Sequence, residues 1–515
     1  MLDERAMSAT PPGWVLVPIL IGFVVACGLL FRAHAFPLLA EQDGIVYLQM
    51  AVSPGSELHA FHGPGYPLAI RGVMRLGPEP FVAAKLVSLA SGVLFVAATW
   101  WLATSVLAPG EALAAAAIAA VTPLVLTSSV TVMSDVLGAA LFLASLAVLL
   151  GFGAGAWWAA LLAGALGGLA YLTRHVYVIA LAAPVLLWLA RRGRRVRGLV
   201  ASLGPFVGGF VVVTLPWLAL VSAQHGNPLW SRHHVNLAFK AYLADGGQNA
   251  FQQAREFAGW WDVVRFDPLR LVRSWAWTFL GFPLRMVTPI VGGGMLAAAG
   301  LLTWVPRMTA PRTTMLAMTA LYGAVVSLAV PKDRYVLPAL PLAVCLIAGG
   351  LGALAAGIRA IAPSRRLEKL PLGAAAVALA LALLLSADLR DGRAWFADEA
   401  LEYRDAAAQL AARAPAAASL LAGPRHLAFF SGTRPIGFMD EPARMHDATL
   451  ADLPARLARV RPTYVAFDDR YVSVRLPRFR DLVDPRLNPY PELLRPVIVV
   501  DRPRRVVIYE YAATR

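Results

Sequence analysis

The feature that most limits this chain is its succession of long apolar runs. Eleven approach membrane-spanning length: residues 14–34, 81–107, 112–130, 135–152, 157–173, 175–190, 199–222, 286–305, 312–330, 335–358 and 371–387. Crossing about 30 Å of hydrocarbon takes roughly 20 helical residues. A backbone in lipid must satisfy its own N–H and C=O groups, so such runs form helices. Composition agrees, with 58% apolar and 15% charged residues, where soluble proteins carry roughly 25% charged. Ordinary soluble, fibrous and disordered classes are excluded on that basis. Segment 271–284 is apolar but short, and reads as an interfacial or re-entrant helix.

The net charge of +15 is unevenly spread. Residues 388–515 hold 20 basic and 17 acidic groups, and the excess lies upstream, in short gaps between apolar runs. A nucleic-acid binder would gather it on a polar domain, so no nucleic-acid partner is expected. Gap 191–198 holds Arg191, Arg192, Arg194, Arg195 and Arg197; gap 359–370 holds Arg359, Arg365, Arg366 and Lys369; Arg307 and Arg312 flank a third. Excess Lys and Arg mark cytoplasmic loops. All three gaps share one side if eleven helices start with the N-terminus inside. The gaps 35–80 and 223–285 and the C-terminal tail then lie outside. The expected location is a bacterial cytoplasmic (inner) membrane, crossed many times. The first run lacks a basic n-region and reads as an uncleaved helix. Cys27 and Cys345 both lie in apolar runs, so neither a disulfide framework nor a cysteine metal site is expected.

The tail changes character. Residues 398–412 show apolar positions at helical spacing. Three β-rich runs follow, 463–467, 496–500 and 506–511, the last two reading as a hairpin. The expected architecture is therefore a polytopic α-helical membrane domain, residues 1–387, followed by a small extracytoplasmic α/β domain, residues 388–515.

Ionisable residues in or at the rim of a membrane bundle are costly, and each is a functional candidate. Here they gather at the outer ends of the helices. Asp43 lies in the first outer loop, Lys85 just inside the second run and Asp135 at the start of the fourth. Arg174 and His175 fill a tight turn, Arg285 opens the eighth run, and Lys332, Asp333 and Arg334 fill the turn before the tenth. Taken singly, Lys85 could snorkel, Arg174 could pair with Asp135, and Lys332 and Arg334 could be interfacial anchors. Together, several cations beside a carboxylate at the mouth of an apolar bundle suit a substrate with an anionic head and a lipid tail.

These residues also form recognisable motifs. Glu41-Gln42-Asp43-Gly44-Ile45-Val46-Tyr47, followed by His62-Gly63-Pro64-Gly65-Tyr66-Pro67, resembles the first outer loop of GT-C glycosyltransferases. More narrowly, it resembles the bacterial relatives of protein mannosyltransferases and aminoarabinose transferases (glycosyltransferase family 39-like). Ser134-Asp135, Gly168-Leu169-Ala170-Tyr171-Leu172-Thr173-Arg174 and Asp333-Arg334-Tyr335 through Pro338 resemble three further motifs of that family, in family order. Two positions depart from it. Gly44 stands where many members have an acid, and Gly63 replaces the first proline of an HPPGYP-like turn.

The resemblance implies inverting glycosyl transfer at the outer face, from a sugar on polyprenyl phosphate to a glycan, lipid or protein acceptor. Asp43 is the implied general base. Lys85, Arg174 and Arg334, with Lys332 beside them, would stabilise the departing phosphate. His62, Tyr66, Tyr47, Tyr335, Arg285 and Asp135 would shape the loop or contact substrate. No cofactor is implied and no metal ligand set is assigned; divalent metal dependence is left open. The competing reading is a transporter or flippase for an anionic lipid-linked or glycan substrate. A carrier of that kind calls for charges nearer the midplane and for paired broken helices.

Overall fold

A computed structural model of the chain describes residues 13–33, 42–53, 61–152, 156–191, 196–243, 254, 256–288, 290, 293–361, 401–438, 443–445 and 447–512. These form two compact units. The first takes in 13–33, 50–242 and 257–361, and the second 42–49, 243, 254, 256 and 401–512.

The first unit is helical. In chain order its helices include α1 (Val17–Ala33), the end of α2 (Gln42–Val52), α3 (Gly65–Met74), α4 (Pro80–Thr104), α5 (Pro109–Val121), α6 (Pro123–Val130), α7 (Asp135–Phe152) and α8 (Trp157–Thr173). A 3-10 turn, His175–Ala182, leads to α9 (Ala183–Ala190) and α10 (Val196–His225). Then come α11 (His233–Ala238), α12 (Trp260–Phe266), α13 (Pro268–Val287), α14 (Gly293–Trp304), α15 (Ala310–Val326) and α16 (Leu340–Ile361).

Eleven spans are expected from the sequence. Among the described residues, five helices are long and apolar enough to cross a membrane, or six if the bent pair α5–α6 counts as one. Local chemistry explains the difference. Run 112–130 breaks at Thr122, whose φ −71° and ψ 127° are extended, because a residue preceding proline is pushed out of the helical region. The helices on either side meet at 55°. Run 175–190 opens as a 3-10 turn, and run 286–305 supplies only the 12 residues of α14. Run 371–387, residues 192–195 of one Arg-rich gap and residues 362–370 of another lie outside the described residues. The short apolar segment 271–284 belongs to α13, a 20-residue helix with Leu269, Val272, Leu280 and Leu284 exposed.

Close packing is set by small residues. A Cβ on Gly164 of α8 would come within 1.9 Å of the Phe206 carbonyl oxygen on α10. Small residues at a crossing let two membrane helices approach backbone to backbone.

The second unit contains a five-stranded sheet. Its strands are β1 (Ser419–Ala422), β2 (Arg434–Gly437), β3 (Tyr464–Asp468), β4 (Leu494–Val500) and β5 (Val506–Tyr511), in the order β2-β1-β3-β5-β4. Strands β2, β1 and β3 are parallel; β5 runs antiparallel to β3 and to β4. The hairpin read from the sequence is the β4–β5 pair. Side chains alternate between two cores. Leu421, Val465, Phe467, Val507 and Tyr509 pack on one face, and Leu420, Ala422, Tyr464, Ala466 and Ile508 on the other. A sheet covered on both faces reads as continuous apolar runs, because its period of two has no polar side.

Candidate active site

Three chain elements bring a carboxylate and two guanidiniums together. Asp135 is the first residue of α7, Arg174 caps the end of α8, and Arg334 lies in the 3-10 turn Asp333–Ala339 that leads into α16. Arg174 Nη1 donates to Asp135 Oδ1, and Arg334 Nε lies 3.4 Å from Asp135 Oδ2. The Asp135 side chain is 5% exposed, so two cations and a helix N-terminus offset its desolvation.

Tyr335 underlies the pair. Its ring centroid is 5.0 Å from Arg174 Cζ and 5.6 Å from Arg334 Cζ, within cation–π range. The Tyr322 hydroxyl of α15 donates to the Tyr335 carbonyl at 2.8 Å, fixing the turn that carries Arg334. Two cations share one carboxylate, and each guanidinium has five N–H donors. The arrangement can hold an oxyanion in a fixed geometry.

Lys85 is buried in α4. It donates to the carbonyl of Val130, the last residue of α6, and stands 5.3 Å from the Phe81 ring centroid. A cation at a helix C-terminus is favoured by the unpaired carbonyls there. One residue earlier, the Ala84 carbonyl accepts from the Tyr66 hydroxyl at 3.2 Å, and Ser88 Oγ lies 2.8 Å from the same hydroxyl. Tyr66 therefore ties α3 to α4. The turn before α3 lies against the end of α8, where a Cβ on Gly63 would meet the Leu172 carbonyl oxygen at 2.0 Å. Proline cannot occupy position 63 in this packing, which accounts for one of the two departures from the family motif.

His175 Nδ1 lies 3.0 Å from His233 Nε2, and Phe61 meets the His233 ring edge-on at 6.0 Å. Burial first, then the charges of His175, His62 and Arg174, lower the His233 imidazole to about 3, so it is neutral at neutral pH. His62 is half-buried beside it. Lys332 is half-buried ahead of the 3-10 turn. Arg285 is exposed in the last turn of α13, not at the start of the following helix as the sequence suggests. Asp43 is half-buried in the first turn of α2, and Tyr47 is buried one turn later. Both belong to the second unit.

Lys240 escapes sequence reasoning. It donates to the Ser327 carbonyl, lies 3.5 Å from the Ser274 carbonyl, and is lowered to about 8 by burial and then by Arg285. A lone lysine in Asn-Leu-Ala-Phe-Lys-Ala-Tyr, residues 236–242, was the available signal. Among the described residues, no group of three His, Cys, Asp or Glu is placed to hold a metal ion.

The fold is similar to that of GT-C membrane glycosyltransferases. The family model for dolichyl-phosphate-mannose-protein mannosyltransferases matches residues 61–219. Among solved structures, ArnT from Cupriavidus metallidurans bound to undecaprenyl phosphate is similar over 98% of this chain and 99% of its own, with a TM-score of 0.60 and 16% identity. The Archaeoglobus fulgidus oligosaccharyltransferase tethered to an acceptor peptide matches over 98% of this chain and 74% of its own, with a TM-score of 0.61 and 12% identity. A mycobacterial arabinofuranosyltransferase, AftD, matches over 98% and 42%, with a TM-score of 0.53 and 16% identity. No curated protein matches the chain by sequence. The resemblance to GT-C membrane glycosyltransferases read from the four motifs is borne out.

Proposed function

We propose that this chain is an inverting glycosyltransferase that takes its sugar from polyprenyl phosphate at the outer face of a bacterial cytoplasmic membrane. The observation that carries the reading is the Arg174–Asp135–Arg334 cluster over Tyr335, on a fold shared with a protein crystallised with undecaprenyl phosphate. Arg174 and Arg334, assisted by Lys85 and Lys332, hold the phosphate. Asp43 is the general base, an assignment supported by its place in the first-loop motif.

The acceptor's O–H or N–H proton passes to the Asp43 carboxylate as its heteroatom bonds to the anomeric carbon. The bond from that carbon to the phosphate oxygen breaks, and its electron pair stays on the phosphate. No acid need protonate this leaving group, because the cations stabilise its growing charge. The apolar runs deliver the lipid tail from within the bilayer. In this reading they cross eleven times, with the N-terminus cytoplasmic and residues 388–515 outside as a separate domain.

The test is incubation of the purified protein with a panel of polyprenyl-phosphate sugars, followed by detection of released polyprenyl phosphate. Sugar-dependent release is expected. If no donor in the panel releases it, while intact lipid-linked substrate crosses reconstituted vesicles, the carrier reading replaces this one.

A further inference from the structure

A small pocket of about 70 Å³, partly open to solvent, lies between the end of α8, the end of α10 and the turn that follows α10. Its lining mixes ring faces from Tyr171, Trp217 and Trp230 with the hydrogen-bonding groups of His175, His225 and Ser231. The turn is held in several ways. Gly226 adopts φ +70° and donates to the Ser222 carbonyl at 2.8 Å, ending α10 in the left-handed conformation that suits glycine. Asn227 Oδ1 accepts from Leu229 N at 2.9 Å, and the Asn227 carbonyl accepts from Trp230 N at 3.1 Å. The Trp230 ring then stacks on His225 at 3.6 Å with 9° between planes. The hydrogen-bonded turn thus places two stacked rings in a lining shared with Tyr171 and His175.

We propose that this pocket holds a pyranose ring of the glycosyl substrate. A sugar face of polarised C–H groups suits the negative face of an aromatic ring, and its equatorial hydroxyls need the side groups that His175, His225 and Ser231 supply. A lipid chain would offer no hydrogen-bond partner to His225 and Ser231. His175, which lines the pocket, directly follows Arg174 of the anion cluster in the chain. The proposal rests on the glycosyltransferase reading and specifies where its sugar binds.

The experiment is saturation-transfer NMR on the full chain in lipid nanodiscs free of glycoside detergent, with methyl glycosides of common hexoses and pentoses as probes. At least one glycoside should give saturable transfer. Trp230→Ala should weaken it tenfold or more, while Trp230→Phe, which keeps a stacking ring, and Trp277→Ala, outside the pocket, should leave it within twofold. Displacement of the glycoside by a polyprenyl-phosphate sugar, but not by bare polyprenyl phosphate, assigns the ring to the donor. Retention against both assigns it to the acceptor. Absence of saturable transfer with every probe, equal transfer in Trp230→Ala, or displacement by bare polyprenyl phosphate each overturns the proposal. Binding is read without turnover, so glycoside binding without polyprenyl-phosphate release sinks the transferase reading alone.

Discussion

Replacing Asp135 by Asn keeps the side chain's size and removes the charge that Arg174 and Arg334 share. Both guanidiniums lie over one ring at 5.0 and 5.6 Å, so their centres are within about 11 Å of each other. At an effective dielectric constant of about 20, that separation already costs about 1.5 kcal/mol once the intervening carboxylate is gone. Removing one partner of a buried pair costs about 3–5 kcal/mol. The arginine side chains keep 22% and 15% exposure, which puts the loss near the lower end. Thermal unfolding of the purified protein, followed by tryptophan fluorescence, should show a clear fall in Tm for Asp135→Asn. Adding Arg334→Gln to that variant should recover part of the fall, because it removes the surplus charge. Undecaprenyl phosphate should raise the Tm of Asp135→Asn more than that of the wild type, since its phosphate replaces the missing anion. Strictly additive losses in the double variant, together with an equal or smaller ligand shift, would refute the view that this carboxylate balances two cations.

Three further outcomes are expected. Asp43→Asn should insert and fold normally yet release polyprenyl phosphate about 10²–10⁴-fold more slowly; near wild-type turnover would remove Asp43 as the base. Gly63→Ala should lower Tm and folded yield, because the new Cβ would sit 2.0 Å from the Leu172 carbonyl oxygen; an unchanged Tm would show that the turn does not press on α8. In the second unit, burial raises the Asp468 carboxyl from 3.8 to about 6, although Tyr403 and the Tyr471 amide both bond to it. The folded state then binds the proton more tightly than the unfolded one, so this stability is full below about pH 4 and is lost as pH rises through about 6. Asp468→Asn should flatten that slope of Tm against pH, and an unaltered slope would assign it elsewhere.

What the sequence revealed follows from what it can encode. A charge in an apolar run is conspicuous because lipid makes it costly, so Asp135, Arg174 and Arg334 could be singled out and the pairing of Arg174 with Asp135 weighed. The hairpin β4–β5 was legible because Val and Ile dominate both strands. Strands β1 and β2 were not, since each has four residues and Ser419–Ala422 sits in an Ala- and Leu-rich stretch. Hydropathy gave the apolar runs but not their breaks: Thr122-Pro123 carries a bend that only local sterics predict. Lys240 and His233 gain their character from burial against distant elements, which no short window contains.

The charges at the cluster also bear on what limits turnover. Two arginines and one aspartate leave one net positive charge, to which Lys85 adds where it reaches the same phosphate. A sugar-bearing polyprenyl phosphate is a phosphodiester with a single negative charge. The departing monoester carries about −1.5 to −2 at neutral pH. On the proposed function, a site with surplus positive charge binds the leaving group better than the donor, and that difference is the part of binding that accelerates the chemistry. The same difference slows product departure. Bare polyprenyl phosphate should compete with the donor at lower concentration than a glycosylated analogue does, by a margin that narrows as salt is raised from about 0.05 M to 0.5 M. Equal potency of the two lipids at low salt would mean that the growing phosphate charge is not what these cations recognise.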